Sequence, residues 1–297
     1  MMRRVRDFDE LLDILMPWNG GVAVVLRAFF DASTRKTGTF CVAGLAFDAD
    51  RAKKAERAWR SLMGERIAHL TDLHALHGVF AELTKDQSSE LLKGQVKIIR
   101  EHASFGVAIS CDLNEVSKLL PVEAASGSEP LSNGFRKPYA VCCHLAMHTL
   151  GRMASQNGKG AGIAYVFEAG DQYNGESKKF IDHALAAGPM RSVYQCRSHG
   201  FLEKPDARLL ETSDILAWEW AKHIDRLKEG KAARPSLRAL IDGEVSGADY
   251  KSANYVAQHV TGARLDRFCD KVGRLLAATE HSEVTAIAAS CSSDEAA

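Results

Sequence analysis

The chain has 297 residues, enough for one large core with its covering helices. Hydrophobic residues make up 46% and charged residues 26%, which is the composition of a folded globular protein rather than a disordered one. Lys plus Arg and Asp plus Glu balance at 38 each, so the net charge attracts neither nucleic acid nor an anionic membrane. A local basic groove would still leave a nucleic-acid partner open.

Cysteine usage and the N-terminus predict a reducing, cytoplasmic location. The seven cysteines are scattered and include no C-x-x-C pair, so we expect buried free thiols rather than disulfides or a zinc site. The sequence begins Met-Met-Arg-Arg and turns acidic at Asp7, which is not a signal-peptide pattern. The longest apolar run, 20–30, contains Arg27 and is too short to span a bilayer, so no membrane partner is predicted.

The first predicted elements are a short helix and a hairpin. A lead-in helix over 1–17 precedes an apolar, β-branched run, 22–30, which ends on Asp31. Such a run is typical of a central strand that is buried on both faces. A polar turn at 33–38 then leads to a second strand at 39–47, so the two strands are predicted to pair as a hairpin.

A helical insertion, 50–102, is predicted between the second and third strands. It begins with a helix over 50–66 and continues, after a His-rich segment, with a helix capped by Thr84 or Asp86. The third strand follows at 105–110.

The second half of the chain alternates predicted helices and strands. In order, these elements are a loop at 121–135, a helix at 137–156, a strand at 163–167 that ends on Glu168, a helix at 175–187, a strand at 191–196 and a helix at 207–228. The alternation predicts an α/β fold, with a mixed β-sheet flanked by helices. We expect a single domain over 1–282, with a core at about 22–228, a helical C-terminal extension at 235–282 and a disordered tail at 283–297.

Two strongly apolar strands end on acids, Asp31 and Glu168. Acids at the ends of buried strands lie on the rim of a sheet, where ligands of open α/β folds bind. Neighbouring carboxylates repel each other unless a cation lies between them, and hard divalent ions with oxygen ligands relieve that repulsion. The alternative is that each acid only caps a strand or turn. The metal interpretation requires both strands to be adjacent and of the same polarity.

A third acid, Asp214, lies on a predicted helix. Leu210, Asp214, Ala217 and Ala221 fall along one stripe, so the carboxylate faces the core. A buried charge is costly unless it is paired or bound to metal. Glu211, one turn earlier, could share a metal-binding role. A salt-bridged or partly exposed Asp214 is the competing interpretation.

The segment between His69 and His77 contains three histidines and Asp72. A zinc site is one interpretation, but no H-E-x-x-H motif or cysteine partner supports it. A histidine beside a phosphodiester could orient a phosphate or transfer a proton, and a plain polar loop is the third interpretation. Gly170 belongs to no phosphate-binding loop motif, so no nucleotide cofactor is predicted.

Five short motifs resemble, in order and spacing, those of the bacterial family called domain of unknown function 3800. They are Phe29-Phe-Asp31-Ala-Ser33, His69-Leu-Thr-Asp72, Tyr139-Ala-Val-Cys142, Val166-Phe-Glu168-Ala-Gly170 and Ser213-Asp214-Ile-Leu-Ala217. The resemblance runs from about 24 to 228. It implies an RNase H-like fold and a nuclease that is dependent on Mg²⁺ or Mn²⁺.

By this resemblance Asp31, Glu168 and Asp214 would be the acids of the first strand, the fourth strand and the last core helix, and His69 and Asp72 would match a recurring His-x-x-Asp element. In the nuclease hypothesis the three acids hold the metal, and His69 and Asp72 are auxiliary catalytic residues. One departure is Ala32, where the family commonly has Glu. In addition, the helix at 137–156 supplies no acid, although RNase H-like enzymes often place one there; Asp72 or Asp171 could substitute for it.

The sequence therefore predicts a nuclease that hydrolyses phosphodiester bonds of DNA or RNA. Arg35 and Lys36, after the first strand, are predicted to help seat the phosphate backbone. The competing hypothesis, motivated by Ala32 and the neutral net charge, is a catalytically inactive RNase H-like module that binds nucleic acid or protein, in phage defence or a mobile element. A metal-dependent hydrolase with a different substrate is the third hypothesis.

Overall fold

The described residues contain a seven-stranded mixed sheet. The computed structural model describes residues 26–116, 137–158, 162–169, 178–179, 181–182, 184–185, 188–265 and 267. The predictions for 1–17, 121–135, 283–297, Gly170 and Asp171, and part of that for 175–187, lie outside these residues. Among the described helices, none combines the length and apolarity needed to cross a bilayer.

The predicted hairpin forms the centre of the sheet. Strand β1 (Leu26–Thr34) pairs antiparallel with β2 (Thr39–Asp48), and both strands are almost entirely buried. The turn between them is closed by the Arg35 amide, which donates to the Thr39 carbonyl at 2.8 Å. Gly38 lies in this turn with φ +88°, a conformation that favours glycine.

Strand order identifies the fold. The strands β3 (Phe105–Asp112), β4 (Ile163–Glu168) and β5 (Cys196–Leu202) complete a core in the order β3-β2-β1-β4-β5. Within this core, only β2 runs antiparallel to its neighbours, whereas β1, β4 and β5 are mutually parallel. This is the arrangement of the RNase H-like fold, and the predicted fold class is confirmed.

Helices cover both faces of the sheet. They are α1 (Ala49–Met63), α2 (Leu70–Ala75), α3 (Lys85–His102), α4 (Leu113–Val116), α5 (Pro138–Gln156), α6 (Gly188–Val193), α7 (Leu210–Lys228) and α8 (Pro235–Ile241), with a 3₁₀ turn at Gly78–Phe80. Residues of α7, α1 and α3 share one apolar core, and α5 packs in a second core on the opposite face. The helical insertion is confirmed, and Thr84 caps α3 with a reciprocal pair of hydrogen bonds to Gln87.

The prediction of a strand at 191–196 was wrong. Residues 188–193 form α6, and the strand, β5, begins at Cys196. Strand β5 lies at one edge of the sheet, and most of its side chains are half-buried. An edge strand of this kind lacks the continuous apolar run by which a central strand is recognised.

The predicted helical C-terminal extension was also wrong in part. Helix α8 forms as expected, but it is followed by β6 (Asp249–Lys251) and β7 (Tyr255–Val260). Strand β7 pairs in parallel with β3 and so extends the sheet beyond its RNase H-like core. Pairing on the otherwise open edge of β3 satisfies the backbone of this short, β-branched segment.

Candidate active site

Three parallel strands bring their ends to one edge of the sheet. Phe30 on β1 is level with Phe167 on β4, so Asp31 and Glu168 are the next residues on two adjacent strands. Glu168 is in turn level with Leu202 on β5. The condition for the metal interpretation, two adjacent strands of the same polarity, is therefore met.

The sequence predicts that β1 ends at Asp31, but the strand continues beyond this residue. Pairing with β2 continues to Thr34, whereas the described pairing with β4 stops at Phe30. Asp31 therefore lies just beyond the described pairing of β1 with β4, and only 2% of this residue is exposed. One carboxylate oxygen accepts a hydrogen bond of 2.6 Å from the Ala32 amide.

Helix α7 contributes Asp214 to the same edge. The predicted stripe of Leu210, Asp214, Ala217 and Ala221 is buried against the sheet. The Ser213 hydroxyl donates to the Phe29 carbonyl at 2.6 Å, which fixes α7 against β1 next to Asp31. These contacts fix a carboxylate from a third element beside the two strand-borne acids.

Lys204 joins the three acids. Its Nζ lies 2.9 Å from Asp31 Oδ2, 3.2 Å from Glu168 Oε1 and 3.9 Å from Asp214 Oδ2. The lysine side chain is 4% exposed. The structure thus brings Asp31, Glu168 and Asp214 together around one cationic nitrogen.

A clamp formed by Arg208 and the first turns of α7 places His69 beside this cluster. Arg208 donates to the Gly64 and Arg66 carbonyls at 3.0 and 2.6 Å and is paired with Glu211, which accepts from the Ala68 amide at 2.8 Å. Further along the same segment, the Leu70 amide donates to Asp214 at 2.8 Å. This succession of contacts holds the segment that contains His69, whose Nδ1 lies 3.1 Å from the Lys204 Nζ.

The charge of Lys204 does not fully offset the effect of burial on the acids of the cluster. Burial raises the pKa of Asp31 to about 7, although the charge of Lys204 opposes the shift. Burial likewise raises the pKa of Asp214, again against Lys204. Burial alone would lower the pKa of Lys204, but the charges of Asp214, Asp31 and Glu168 outweigh it and raise that pKa above its usual value. The ammonium therefore stays charged, while its carboxylate partners favour additional positive charge.

The cluster opens into a cavity of about 520 Å³. Its lining residues are Asp31, Ala32, Ile67, His69, Glu168, Ala169, Glu203, Lys204, Pro205 and Asp214. Ala32, the position at which the resembled family commonly has Glu, faces this cavity. A glutamate at that position would add a fifth carboxylate to a wall that already contains Asp31, Glu168, Glu203 and Asp214.

Other predicted residues lie apart from the cavity. Asp72 faces His77, with 3.7 Å between its carboxylate and the imidazole Nδ1. His74 stacks on Trp218 with 4.5 Å between ring centroids, so the histidines of this segment have different partners and do not share one site. Arg35, predicted to contact phosphate, is 3.2 Å from the Asp225 carboxylate and lies over the Trp218 ring.

Lys204 was missed in the sequence. It lies in the polar Glu203-Lys204-Pro205 segment, which has no periodicity that marks a buried residue. The available signal is topological, because Lys204 follows the end of β5 by two residues and β5 is parallel to β4. Correct placement of β5 would have located this lysine at the edge that carries Glu168.

The described residues contain no group of three or more His, Cys, Asp or Glu side chains arranged as a metal site. The distances of 2.9–3.9 Å around Lys204 are those of ion pairs, longer than the roughly 2.0–2.1 Å of magnesium–oxygen bonds. The donor atoms of Asp31, Glu168 and Asp214 nevertheless fit a hard divalent ion, because all of them are carboxylate oxygens. One ammonium facing three carboxylates also leaves an excess of negative charge.

Comparisons with known proteins find no matching family model and no matching curated protein. Solved structures that are similar to the chain include two ribonucleases. RNase HII from Archaeoglobus fulgidus, in complex with PCNA, is 16% identical, with 73% of this chain and 87% of that chain covered at a TM-score of 0.36. Ribonuclease H2 from Pyrococcus horikoshii OT3 is 11% identical, with 84% and 99% covered at a TM-score of 0.36. Similarity at this level supports neither a fold nor a function. The fold is therefore assigned from the strand order, and the function is inferred from the geometry of the site.

Proposed function

We propose that this protein is a divalent-metal-dependent nuclease that hydrolyses phosphodiester bonds of DNA or RNA. One observation carries the proposal, the convergence of Asp31, Glu168 and Asp214 at the mouth of an open cavity. These acids come from β1, β4 and α7, which are far apart in sequence. Buried acids that surround a cation position beside a cavity are costly for stability, and such an arrangement is typical of a functional site.

The proposed metal ligands are Asp31, Glu168 and Asp214, and the proposed ion is Mg²⁺ or Mn²⁺. A divalent ion at this position would supply a nucleophilic water and neutralise charge that develops on a phosphodiester. His69 is exposed at the cavity and is suited to orient a phosphate or transfer a proton. Because Asp72 pairs with His77 outside the cavity wall, we assign it no direct role.

Cleavage assays with single- and double-stranded DNA and RNA, in Mg²⁺ and in Mn²⁺, test the proposal. We expect cleavage by the wild type that disappears with a chelator, and a loss of at least about 100-fold in Asp31→Asn and Asp214→Asn. Asp112→Asn is the matched control, because Asp112 ends β3 and pairs with Lys228 at 3.4 Å, outside the cavity. Absence of cleavage of all four substrates by folded wild type, in both metals, would refute the proposal.

A second candidate is a catalytically inactive RNase H-like module that binds nucleic acid or protein. Two observations favour it: Lys204 already supplies one positive charge to the acids, and Ala32 supplies no carboxylate to the cavity. This candidate predicts that Mg²⁺ and Mn²⁺ leave the melting temperature unchanged. Thermal melting of wild type and Asp214→Asn separates the two, since a metal-induced rise that is lost in the variant supports the nuclease.

A further inference from the structure

Lys204 contacts several groups of the cluster at once and is not the partner of a single acid. An ammonium group has three N–H donors. Around Nζ, three groups lie within 3.2 Å, namely Asp31 Oδ2, Glu168 Oε1 and His69 Nδ1. Nζ is therefore in contact with two carboxylates and one imidazole, and the ammonium lies between the acids rather than beside them.

A divalent ion and this ammonium exclude each other from one position. Two cations a few ångströms apart repel strongly in a poorly solvated site, and the Lys204 side chain is only 4% exposed. The carboxylates that would bind the ion are the same ones that now contact Lys204. Metal binding there therefore requires Nζ to leave.

The structure offers a place for the displaced ammonium. Lys204 belongs to the wall of the 520 Å³ cavity, and its flexible four-carbon stem allows Nζ to move while the backbone stays in place. Three carboxylates, one divalent ion and one ammonium together carry no net charge. An ammonium in the cavity would also face an anionic ligand such as a phosphate group.

We propose that Lys204 is a built-in competitor for the divalent cation, holding the three acids together in the metal-free protein and turning into the cavity when the ion binds. This inference rests on the proposed metal site but not on cleavage. It assigns Lys204 to control of metal affinity, so that the metal-free protein is stabilised at the expense of tight metal binding.

Manganese affinity in a lysine variant is the first test. Lys204→Met keeps the length of the side chain and removes its charge, so we expect Mn²⁺ to bind at least about tenfold more tightly than to wild type, measured by electron paramagnetic resonance of free Mn²⁺. Lys228→Met is the matched control, because Lys228 pairs with Asp112 at 3.4 Å and lies about 21 Å along α7 from Asp214. Affinity in Lys204→Met that is equal to or weaker than that of wild type would overturn the proposal.

Removing Lys204 leaves the buried Asp31 and Asp214 and the half-buried Glu168 without their cationic partner, and the variant could unfold without metal. In that case the proposal predicts that Mn²⁺ restores cooperative unfolding to Lys204→Met, whereas a variant that stays unfolded in Mn²⁺ contradicts it. The same outcomes apply if wild type binds no Mn²⁺, because removal of the competitor must then create binding.

The wild-type protein provides an independent test through acetylation by acetic anhydride, measured by mass spectrometry. We expect acetylation of Lys204 to rise several-fold when Mn²⁺ binds, while that of Lys228 stays unchanged. Unchanged acetylation of Lys204 in protein that has bound Mn²⁺ would contradict the proposal. A protein that passes these tests but cleaves nothing would refute the nuclease and leave the role of Lys204 standing.

Discussion

Two clusters of buried charge lie at the beginning of α7, and they differ in their balance. In the first, Arg208 pairs with Glu211, and both side chains also hydrogen-bond to the backbone of residues 64–68. In the second, Lys204 faces Asp31, Glu168 and Asp214. Lys204 and Arg208 are close together in the sequence, yet their surroundings differ.

The balance of each cluster indicates its role. The Arg208–Glu211 pair is neutral, each side chain is also hydrogen-bonded to the backbone, and neither residue lines the cavity, as expected for a structural clamp. The Lys204 cluster has excess negative charge and opens into the cavity. Buried charge that remains uncompensated and reaches a cleft is a feature of ligand-binding sites. The difference separates a structural ion pair from a candidate metal site without reference to any relative.

The largest expected effect on stability comes from breaking the balanced cluster. In Arg208→Met, Glu211 loses its charge partner while it remains buried, so we expect the free energy of unfolding to fall by about 3–5 kcal/mol. Urea denaturation monitored by circular dichroism measures this change. Lys228→Met, which opens an exposed ion pair, should cost less than about 1 kcal/mol. A loss in Arg208→Met no larger than in this control would mean that the clamp is not structural.

A buried imidazole on the other face of the sheet makes the free energy of unfolding depend on pH, so the two clusters must be compared at one pH. Burial lowers the pKa of His144 on α5 to about 3, against an ordinary value of 6.5. Between these values the unfolded chain binds a proton that the folded chain does not, so stability decreases as the pH falls. The expected slope is about 1.4 kcal/mol per pH unit. His144→Gln should remove that contribution from urea midpoints measured between about pH 4 and 6, and an unchanged slope would contradict this assignment.

The smallest expected effect comes from neutralising one acid of the unbalanced cluster. Asp214→Asn retains an oxygen that can accept from the Leu70 amide and removes a charge that burial disfavours. Without metal we therefore expect its free energy of unfolding to lie within about 1 kcal/mol of wild type or above it. The same urea titration at neutral pH measures it. A loss as large as that of Arg208→Met would show that Asp214 is a structural partner of Lys204.

The central strands and their acids could be predicted from the sequence because both depend on local pattern. The apolar runs that precede Asp31 and Glu168 form β1 and β4, and the helical stripe that contains Asp214 is buried as expected. The parallel pairing of β1 with β4 then brings two of these acids level.

The remaining parts depend on contacts between distant segments. Strand β5 is half-exposed and β7 is short, so neither has an apolar pattern that distinguishes it from a helix or loop. Lys204 is buried only because β1, β4 and α7 meet around it. A polar segment gives no local signal of such burial, and the ammonium at the centre of the site could not be predicted.

The most direct test locates the divalent ion itself. Crystals of the wild-type protein soaked in Mn²⁺ and measured at the manganese absorption edge would show its position by anomalous scattering. We predict a peak bound by the carboxylates of Asp31, Glu168 and Asp214, with Lys204 Nζ displaced into the cavity. No peak between these acids at saturating Mn²⁺, with the ammonium still in contact with all three, would contradict both the metal site and the function proposed for it.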